Sequence, residues 1–266
     1  MLSTAAQFEW IAAGAVVGMF VLWLIQVRTK DAGVVDMGWA GLLGFAAIFA
    51  GATGAGDPGR RILIAAIGGI WGLRLAWHVL TDRVLKGHED GRYQELREKF
   101  GQRINLFHLA FFQFQGVLVM LLSGPFVLAA SASRIFPTVL DCVGMAVWLV
   151  GILGEAIADG QLKRFKKRPE SKGKTCREGL WNYSRHPNYF FEWLMWCAYA
   201  AIAIQAHLGW LALLAPALML LLIVKVTGIP PTEKRALKSR GEEYRKYQRE
   251  TSAFVPWFPR KEGAGT

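Results

Sequence analysis

Apolar residues are gathered into blocks about 20 residues long, and short polar stretches separate these blocks. A helix needs about 20 apolar residues to cross a hydrocarbon core roughly 30 Å thick. Blocks of this length are too long for soluble strands and too uniform for amphipathic surface helices. The sequence therefore predicts an all-α polytopic membrane protein with about seven transmembrane helices, at residues 8–27, 35–54, 62–80, 106–122, 140–157, 189–204 and 208–229.

The composition supports the membrane-protein class, and the first apolar block could be either a signal peptide or a retained helix. Hydrophobic residues make up 53% of the 266-residue chain and charged residues 19%, whereas soluble domains carry about 25% charged residues. The first block resembles a signal peptide in position, but no basic segment precedes it and Gln26–Arg28 makes a poor cleavage site. We therefore expect a retained first helix and one membrane domain over residues 1–266, ending in a cytoplasmic tail at 230–266.

The basic residues are distributed unevenly between the connections. Lysine and arginine collect in cytoplasmic loops. Six of the 31 basic residues lie at 81–105, nine at 158–188 and nine after residue 230, whereas the opposite side holds Arg60, Arg61 and Arg134. This asymmetry predicts an external N-terminus and a cytoplasmic C-terminus, and the net charge of +11 is mainly a signal of topology. The basic loops could also bind anionic lipid head groups or a polyanionic cofactor.

The sequence lacks the motifs that are typical of several classes of functional site. No helix-turn-helix, zinc finger or RNA-binding motif is present, which argues against a nucleic-acid partner. The three cysteines form no Cys-x-x-Cys pair, which argues against a disulfide framework or a zinc site. No glycine-rich dinucleotide fingerprint follows a strand, so a Rossmann domain is excluded. The His88–Tyr93 segment (HEDGRY) is weak evidence for a metal cluster, and a salt-bridged turn is an equal alternative.

The tail is expected to carry an interfacial helix. Pro230 and Pro231 separate it from the last span. Thr232 can cap a helix over Glu233–Glu250, because a threonine hydroxyl accepts a hydrogen bond from an early helical amide. One face of this segment is basic, so we expect it to lie along the cytoplasmic membrane surface.

Ionisable residues recur near the cytoplasmic ends of the spans. Such groups are costly in a membrane and usually line a cavity or pair with each other. Asp36 begins the second span, and three further pairs have the four-residue spacing of one helix face. These pairs are Arg74 and His78, Glu155 and Asp159, and Asn188 and Glu192. Together they predict a polar chamber open to the cytosol, although any one of them could be a snorkelling side chain or a structural counter-charge.

The segment 179–192 (GLWNYSRHPNYFFE) is the densest polar stretch. Pro187 suits the first turn of a helix, so the sixth span should begin there, with its positive dipole end and free amides available to a phosphate. Candidate ligands around this end are Arg177, Trp181, Tyr183, Arg185, His186 and Tyr189. The alternative is an interfacial aromatic belt with snorkelling cations.

Six motifs spread over most of the chain carry a family resemblance. They are VDMGW at 35–39, WGLRLAWH at 71–78, EDGRY at 89–93, ADGQLKRFK at 158–166, GLWNYSRHPNYFFEW at 179–193 and YQRETSAFVPWFP at 247–259. Together they resemble the steroid 5-alpha-reductase-like membrane proteins, close to a bacterial subgroup labelled as a domain of unknown function. The RHPNY element alone is less specific, because isoprenylcysteine and phospholipid methyltransferases and sterol reductases share it.

The resemblance implies a bacterial inner-membrane enzyme that binds NADPH from the cytosol and reduces an activated carbon–carbon double bond in a steroid-like or other lipid. By similarity, Asp159, Asn188 and Glu192 match cofactor-contacting positions. Arg164, Lys166 and Arg185 are implied phosphate partners, and Tyr244 and Tyr247 would close the site. The candidate cofactor-binding residues are therefore Asp159, Arg164, Lys166, Arg177, Trp181, Tyr183, Arg185, His186, Asn188, Tyr189, Glu192, Tyr244 and Tyr247.

The substrate end departs from the family pattern. The reductases polarise a ketone with a glutamine–glutamate pair on the second span and a tyrosine on the third. Here Asp36 is the nearest acid, and Trp71 or His78 occupies the neighbourhood of the tyrosine. The resemblance therefore does not extend to the residues that would confer steroid specificity. The candidate catalytic residues are Asp36 or His78 as the donor to a developing enolate oxygen, with Arg74 holding either group in place.

Two other functions remain open at the level of sequence. One is an S-adenosylmethionine-dependent methyltransferase, with Glu192 facing the amine of that cofactor. The cations of residues 163–168 favour NADPH, which carries three phosphates, over S-adenosylmethionine, which carries none. The other is a lipid-binding membrane protein without enzymatic activity.

Overall fold

The computed structural model describes residues 1–86, 89 and 91–260, and of Arg92 only the backbone. Its helices are α1 (Thr4–Thr29), α2 (Val34–Thr53), α3 (Pro58–Asp82), α4 (Gly91–Phe100), α5 (Ile104–Leu122), α6 (Gly124–Ser131), α7 (Val139–Lys166), α8 (Pro187–Ala203), α9 (Leu214–Leu221), α10 (Ile229–Arg240) and α11 (Glu242–Glu250). A π-helical stretch, Leu222–Val226, continues α9. One isolated parallel bridge joins Ser184 to Ser252. The predicted all-α class is confirmed.

Six helical stretches in the described part of the chain are long and apolar enough to cross a membrane. They are Thr4–Thr29, Val34–Thr53, Pro58–Lys86, Tyr93–Ser131, Val139–Lys166 and Gly209–Arg240. The remaining predicted span, 189–204, coincides with α8, whose 17 residues extend roughly 26 Å at 1.5 Å per residue. This length falls short of a hydrocarbon core of about 30 Å. The protein is an integral membrane protein, and its described residues hold six stretches that meet this length, one fewer than the sequence predicts.

The helices form two compact units, one of Met1–Asp141 with Ala201–Ala212 and one of Cys142–Ala200 with the residues from Leu213 onward. In the first unit, small residues let α2 and α3 approach closely. A Cβ atom added at Gly72 would lie 2.6 Å from the Cα atom of Gly44, and one added at Gly68 would lie 2.4 Å from the Cβ atom of Ala47. Such small-residue contacts are a common way for membrane helices to pack.

A buried ion pair crosses the first unit. The Arg60 guanidinium donates to both carboxylate oxygens of Asp141, at 2.8 and 2.7 Å, and both side chains are at most 1% exposed. The Asp141 carboxylate also accepts from the backbone N–H of Thr138 and the side-chain amide of Gln205, each at 2.8 Å. Arg60, which the charge distribution assigned to an outer loop, is thus an interior residue of this unit.

In the second unit, α7 and α8 pack through glycine. A Cβ atom added at Gly154 would lie 2.3 Å from the ring of Phe191, and one added at Gly151 would lie 2.5 Å from the Met195 side chain. The predicted start of α8 at Pro187 is confirmed.

The tail helix differs from the prediction in both its start and its length. It begins at Ile229, with the two prolines in its first turn, and Gly241, at φ 54°, divides it into α10 and α11. Thr232 does not cap it. The Thr232 hydroxyl instead donates to the carbonyl of Gly228 at 2.8 Å, inside the helix. Proline is tolerated in a first turn, where no amide donor is required, so the pair of prolines lies just inside the start of the helix and not before it.

Candidate functional site

Glu233, on α10 of the second unit, is the centre of a hydrogen-bonded network. Its Oε1 atom lies 2.6 Å from Nε of Arg185, 3.3 Å from Nε2 of His186 and 3.4 Å from the Tyr244 hydroxyl. Its Oε2 atom accepts from the Gln248 side-chain amide at 2.7 Å. The network therefore joins the head of α8 to the tail helices through one carboxylate.

The sequence analysis missed Glu233 and Gln248. Glu233 lies on α10 and Tyr244 on α11, with Gly241 between the two helices, so no helical spacing in the sequence signals their contact.

Arg185 is held by acceptors of the protein itself. Besides Glu233, its Nη1 atom donates to the carbonyl oxygens of Gln248 and Thr251, at 2.9 and 2.6 Å. Its backbone N–H donates to the carbonyl of Ser252 at 2.8 Å. Its side chain is 10% exposed. The predicted phosphate ligand therefore lies in the interior of the second unit, where it fastens the tail to the start of α8.

Tyr247 and Trp181 also serve this fastening. The Tyr247 hydroxyl donates to the carbonyls of Trp181 and Ser184, and the Trp181 indole donates to the carbonyl of Ala158 on α7 at 2.9 Å. Arg177 lies over the Tyr247 ring at 5.0 Å and pairs with Glu250. Burial raises the pKa of the Tyr247 hydroxyl above its ordinary value. These side chains therefore form a packed support for the head of α8.

A more open polar group lies at the head of α8 itself. The Asn188 side-chain amide donates to the Asp159 carboxylate on α7 at 3.2 Å. The rings of His186 and Tyr189 stack with centroids 5.4 Å apart. Glu192, one turn after Asn188, is half-buried, and Tyr183 is exposed. The structure thus brings Asp159 and Asn188 together.

A basic cavity of about 420 Å³ lies at the end of α7. Its lining residues are Leu162, Phe165, Lys166, Lys167, Arg168, Pro169, Ser171, Lys172, Lys174, Cys176 and Arg240. Arg168 is neutralised by a two-point ion pair with Glu178, at 2.5 and 3.0 Å. The four lysines have no carboxylate partner among the described residues. The other five cations around the cavity, the four lysines and Arg240, create a positive potential that favours an anionic ligand.

Of the two predicted phosphate partners on this helix, Lys166 lines the basic cavity, whereas Arg164 is exposed outside it. The sequence did not single out Lys172, Lys174 or Arg240. They reach the cavity from the loop after α7 and from the end of α10, and no local pattern links them.

The catalytic candidates lie in the first unit. The Asp36 carboxylate accepts from the Tyr93 hydroxyl at 2.9 Å, and Arg83 lies 3.5 Å from its other oxygen. His78 pairs with Asp82, at 3.5 Å, and its side chain is 46% exposed. Arg74 is half-buried on α3. Tyr93, which sequence reasoning left within a loop motif, is thus the residue that contacts the Asp36 acid.

His88 and Asp90 of the HEDGRY segment lie outside the described residues. The Glu89 carboxylate pairs with Arg97 at 2.9 Å and accepts from the backbone N–H of Ala32 at 2.8 Å. For Glu89, the structure therefore agrees with the salt-bridged alternative. No group of three or more histidine, cysteine, aspartate or glutamate residues in the described ranges could hold a metal ion.

Comparisons with known proteins give a family and several partial relatives. The family model described as "Protein of unknown function (DUF1295)" matches residues 22–251. An uncharacterised protein of Schizosaccharomyces pombe is 29% identical over 220 residues, covering 71% of this chain and 63% of that protein. The 3-oxo-5-alpha-steroid 4-dehydrogenase 1 of Bos taurus is 39% identical over 67 residues, covering 25% of this chain and 26% of that protein.

The human 3-oxo-5-alpha-steroid 4-dehydrogenase 1 is 36% identical over 58 residues, or 22% of each chain. The matches thus span less than two thirds of the length of these relatives. No solved structure matches the chain.

Proposed function

Because the chain belongs to the DUF1295 family, which is part of the steroid 5-alpha-reductase-like group, we propose that it is a membrane-bound oxidoreductase that uses NADPH to reduce an activated carbon–carbon double bond in a lipid. Weak, partial similarity to a steroid reductase supports the oxidoreductase class. Following the distribution of basic residues, we place its N-terminus outside and its C-terminus in the cytoplasm of a bacterial inner membrane. This arrangement requires the short helix α8 to cross as a seventh span, which local thinning of the bilayer can accommodate.

The basic cavity carries this proposal. NADPH bears three phosphates, and a site for it needs cations that no protein carboxylate already neutralises. Lys166, Lys167, Lys172 and Lys174 meet this condition at a cavity of about 420 Å³. S-adenosylmethionine bears no phosphate and is itself cationic, so this charge pattern disfavours it. The residues of the second unit therefore fit NADPH better than the methyltransferase cofactor.

Each group of the second unit then has a separate role in holding the cofactor. Lys166 and its neighbouring lysines would bind phosphate, and Asp159, Asn188 and Glu192 would hydrogen-bond the polar parts of the nucleotide. We assign Arg185, Tyr244 and Tyr247 a positioning role, because their polar atoms are already bound within the protein, those of Arg185 and Tyr244 to Glu233 and that of Tyr247 to the Trp181 carbonyl. When bound, NADPH supplies the hydride, and the protein supplies orientation and electrostatics.

In the first unit, we propose that Asp36 and Tyr93 act as a pair on the acceptor. A phenol that donates to the oxygen on which negative charge develops stabilises the transition state. Asp36 would hold the Tyr93 hydroxyl in place in the resting enzyme, and the hydroxyl would rotate its single proton from Asp36 to the acceptor oxygen. The contact with Asp36 favours Tyr93 over His78, because the His78 ring pairs with Asp82 and is nearly half exposed. Arg74, on the same helix as His78, would support Asp36 electrostatically.

The test is thermal unfolding of the detergent-purified protein with NADPH, NADH or S-adenosylmethionine. We expect NADPH to raise the unfolding midpoint most. Lys166→Glu and Lys172→Glu should each weaken NADPH binding by at least about tenfold, since a hydrogen bond to a charged group contributes about 1.5–3 kcal/mol. Lys238→Glu makes the same charge change on an exposed residue outside the cavity and should leave binding unchanged.

Three results would contradict the proposal. Stabilisation by S-adenosylmethionine alone would favour a methyltransferase, and no stabilisation by any of the three would favour a lipid-binding protein. Equal effects of Lys166→Glu and Lys238→Glu would show that the cavity does not hold the phosphates. Asp36→Asn and Tyr93→Phe should keep the NADPH-induced shift, because both residues belong to the unit without the basic cavity.

A further inference from the structure

Three polar side chains on α1 and α5 bury atoms that have no hydrogen-bond partner among the described residues. These atoms are Nε2 and Oε1 of Gln26, Oδ1 of Asn105, and Nδ1 and Nε2 of His108. Gln26 and His108 are 0% exposed. Buried polar groups in proteins are nearly always hydrogen-bonded, and leaving one unsatisfied is costly. A cluster of such atoms in one unit therefore requires an explanation.

The three residues lie along the seam where α1 meets α5. The Trp23 indole donates to the Asn105 carbonyl at 2.9 Å, and the Gln113 side-chain amide lies 3.4 Å from the Val16 carbonyl. Because Trp23 contacts Asn105 and Val16, earlier on α1, contacts Gln113, later on α5, the two helices run antiparallel. Gln26 lies one turn after Trp23 and His108 one turn after Asn105, so they flank this contact on opposite sides.

We call Gln26, Asn105 and His108 the polar seam. At a rise of 1.5 Å per residue, it extends roughly 9 Å along the helices. A ligand that uses all three residues therefore needs more than one polar group.

The surroundings of the polar seam select an uncharged partner. The His108 ring lies among aromatic rings, with centroid distances of 6.4 Å to Tyr93, 6.0 Å to Phe107 and 6.2 Å to Phe112. The nearby charged residues Arg97 and Glu89 neutralise each other in an ion pair. The seam itself offers amide and imidazole donors and acceptors and no fixed charge. Hydroxyl and carbonyl groups match these atoms, whereas a carboxylate or phosphate finds no unpaired cation there among the described residues.

An apolar groove beside the polar seam suits a hydrocarbon chain. A cavity of about 520 Å³ between α1 and α5 is lined by Val16, Val17, Phe20, Leu109 and Gln113. Leu109 adjoins His108 in the chain, and the Phe20 ring packs against Trp23 with centroids 5.5 Å apart. The three seam residues do not line this cavity; it begins next to them, at Leu109 on α5 and, on α1, at Phe20, one turn before Trp23. An occupant of both the groove and the polar seam would have an apolar chain and a neutral, oxygen-bearing head.

We propose that the seam between α1 and α5 binds a neutral lipid, with its chain in the groove and its hydroxyl or carbonyl groups on Gln26, Asn105 and His108. This binding site needs no cofactor. The proposal also names the class of lipid that the proposed reductase would select, and only this part of it rests on the proposed function.

Thermal unfolding in phosphatidylcholine nanodiscs, without NADPH, tests the site with three probes that share an 18-carbon chain. Monoolein carries hydroxyl and ester groups, oleic acid carries a carboxylate, and 1-octadecene has no head group. We expect monoolein to raise the unfolding midpoint by several degrees and the other two to raise it less. A larger effect of oleic acid, or equal effects of all three, would overturn the proposal.

Paired glutamine variants separate a ligand site from a structural one. Gln26→Leu and His108→Leu should leave the lipid-free midpoint unchanged or higher, because replacing unpaired polar groups by apolar ones is not costly. Both should abolish the monoolein shift. Gln7→Leu is the matched control, because Gln7 is equally buried on α1 but donates to the Ala50 carbonyl and the Thr53 hydroxyl, at 3.0 and 2.8 Å. This variant should lower the lipid-free midpoint.

His108→Gln keeps a donor and an acceptor and should retain most of the monoolein shift. The proposal fails if Gln26→Leu destabilises the lipid-free protein as much as Gln7→Leu does, since its polar atoms are then satisfied within the protein. It also fails if the two leucine variants at the seam keep the monoolein shift. Because no nucleotide is present, these outcomes are independent of whether the protein is a reductase.

Discussion

The Nε atom of Arg185 lies 2.6 Å from Oε1 of Glu233, and the two side chains are only 10% and 14% exposed. The pair joins the loop before α8 to α10, and the Arg185 guanidinium binds two further carbonyl groups of the tail. An arginine that resembles a phosphate ligand in sequence is thus committed to the fold of the second unit.

Removing the acid should therefore destabilise the protein. Glu233→Ala leaves the Arg185 charge largely buried without its partner, and we expect the free energy of unfolding to fall by about 3 kcal/mol, the lower end of the range for a broken buried ion pair. The control is Glu242→Ala, which breaks an exposed pair with Arg245, with side chains 74% and 63% exposed. Exposed pairs contribute about 1 kcal/mol or less.

Unfolding in mixed micelles of increasing denaturing detergent measures both variants. Equal stabilities of Glu233→Ala and Glu242→Ala would mean that the Arg185–Glu233 pair does not hold the tail.

The membrane helices and the head of α8 could be predicted from sequence because their signals are local. An apolar block of about 20 residues indicates a span by its length alone, and Pro187 marks a first turn by its missing amide. The start of α10 was missed because Pro230 and Pro231 fit equally well before a helix and inside its first turn.

The candidate site was only partly predictable because its contacts join distant residues. Tyr93 and Asp36 are 57 residues apart, and no spacing rule links them. Lys166 belongs to a visible run of cations, whereas Arg240 reaches the same cavity from another helix. Gln26 is an ordinary residue at a span end until its burial shows that its amide is unpaired.

The ion pair between Arg60 and Asp141 gives a second stability prediction, in the first unit. Asp141→Asn keeps the shape of the side chain but leaves the fully buried Arg60 charge without its counter-charge, so we expect a loss of about 3–5 kcal/mol. Asp82→Asn is the control, because it weakens an exposed pair with Lys86 at 3.1 Å. Thermal unfolding of both variants should show a large fall of the midpoint only for Asp141→Asn, and similar midpoints would contradict the structural role of the pair.

The contact between Gly44 and Gly72 predicts a steric effect. A Cβ atom at Gly72 would lie 2.7 Å from the Ala40 carbonyl oxygen as well as 2.6 Å from Gly44, so Gly72→Ala must push α2 and α3 apart. Overpacking of this kind costs about 1–3 kcal/mol. Gly14→Ala, on α1, meets nothing within 4 Å and is the matched control. If both alanine variants unfold at the wild-type midpoint, the two helices do not pack as closely as the structure has them.

The buried tail tyrosines predict how stability depends on alkaline pH. Burial raises the pKa of Tyr244 and of Tyr247 above the ordinary value of about 10. Above pH 10 the unfolded chain therefore loses phenolic protons that the folded protein keeps. The stability contributed by these protons is complete below pH 10 and falls as the pH rises, by up to about 1.4 kcal/mol per pH unit for each tyrosine.

Tyr247→Phe isolates the contribution of Tyr247 to the alkaline loss of stability. The variant loses the hydrogen bonds to the carbonyls of Trp181 and Ser184, so it should be less stable than the wild type at pH 8. It has no phenolic proton at this position, so its unfolding midpoint should fall less steeply between pH 10 and pH 11. Tyr183→Phe is the control, because the Tyr183 side chain is exposed and its removal should leave the slope unchanged. Parallel alkaline slopes for the wild type and Tyr247→Phe would mean that the Tyr247 hydroxyl is open to water, and that this hydroxyl does not fasten the tail to the carbonyls of Trp181 and Ser184.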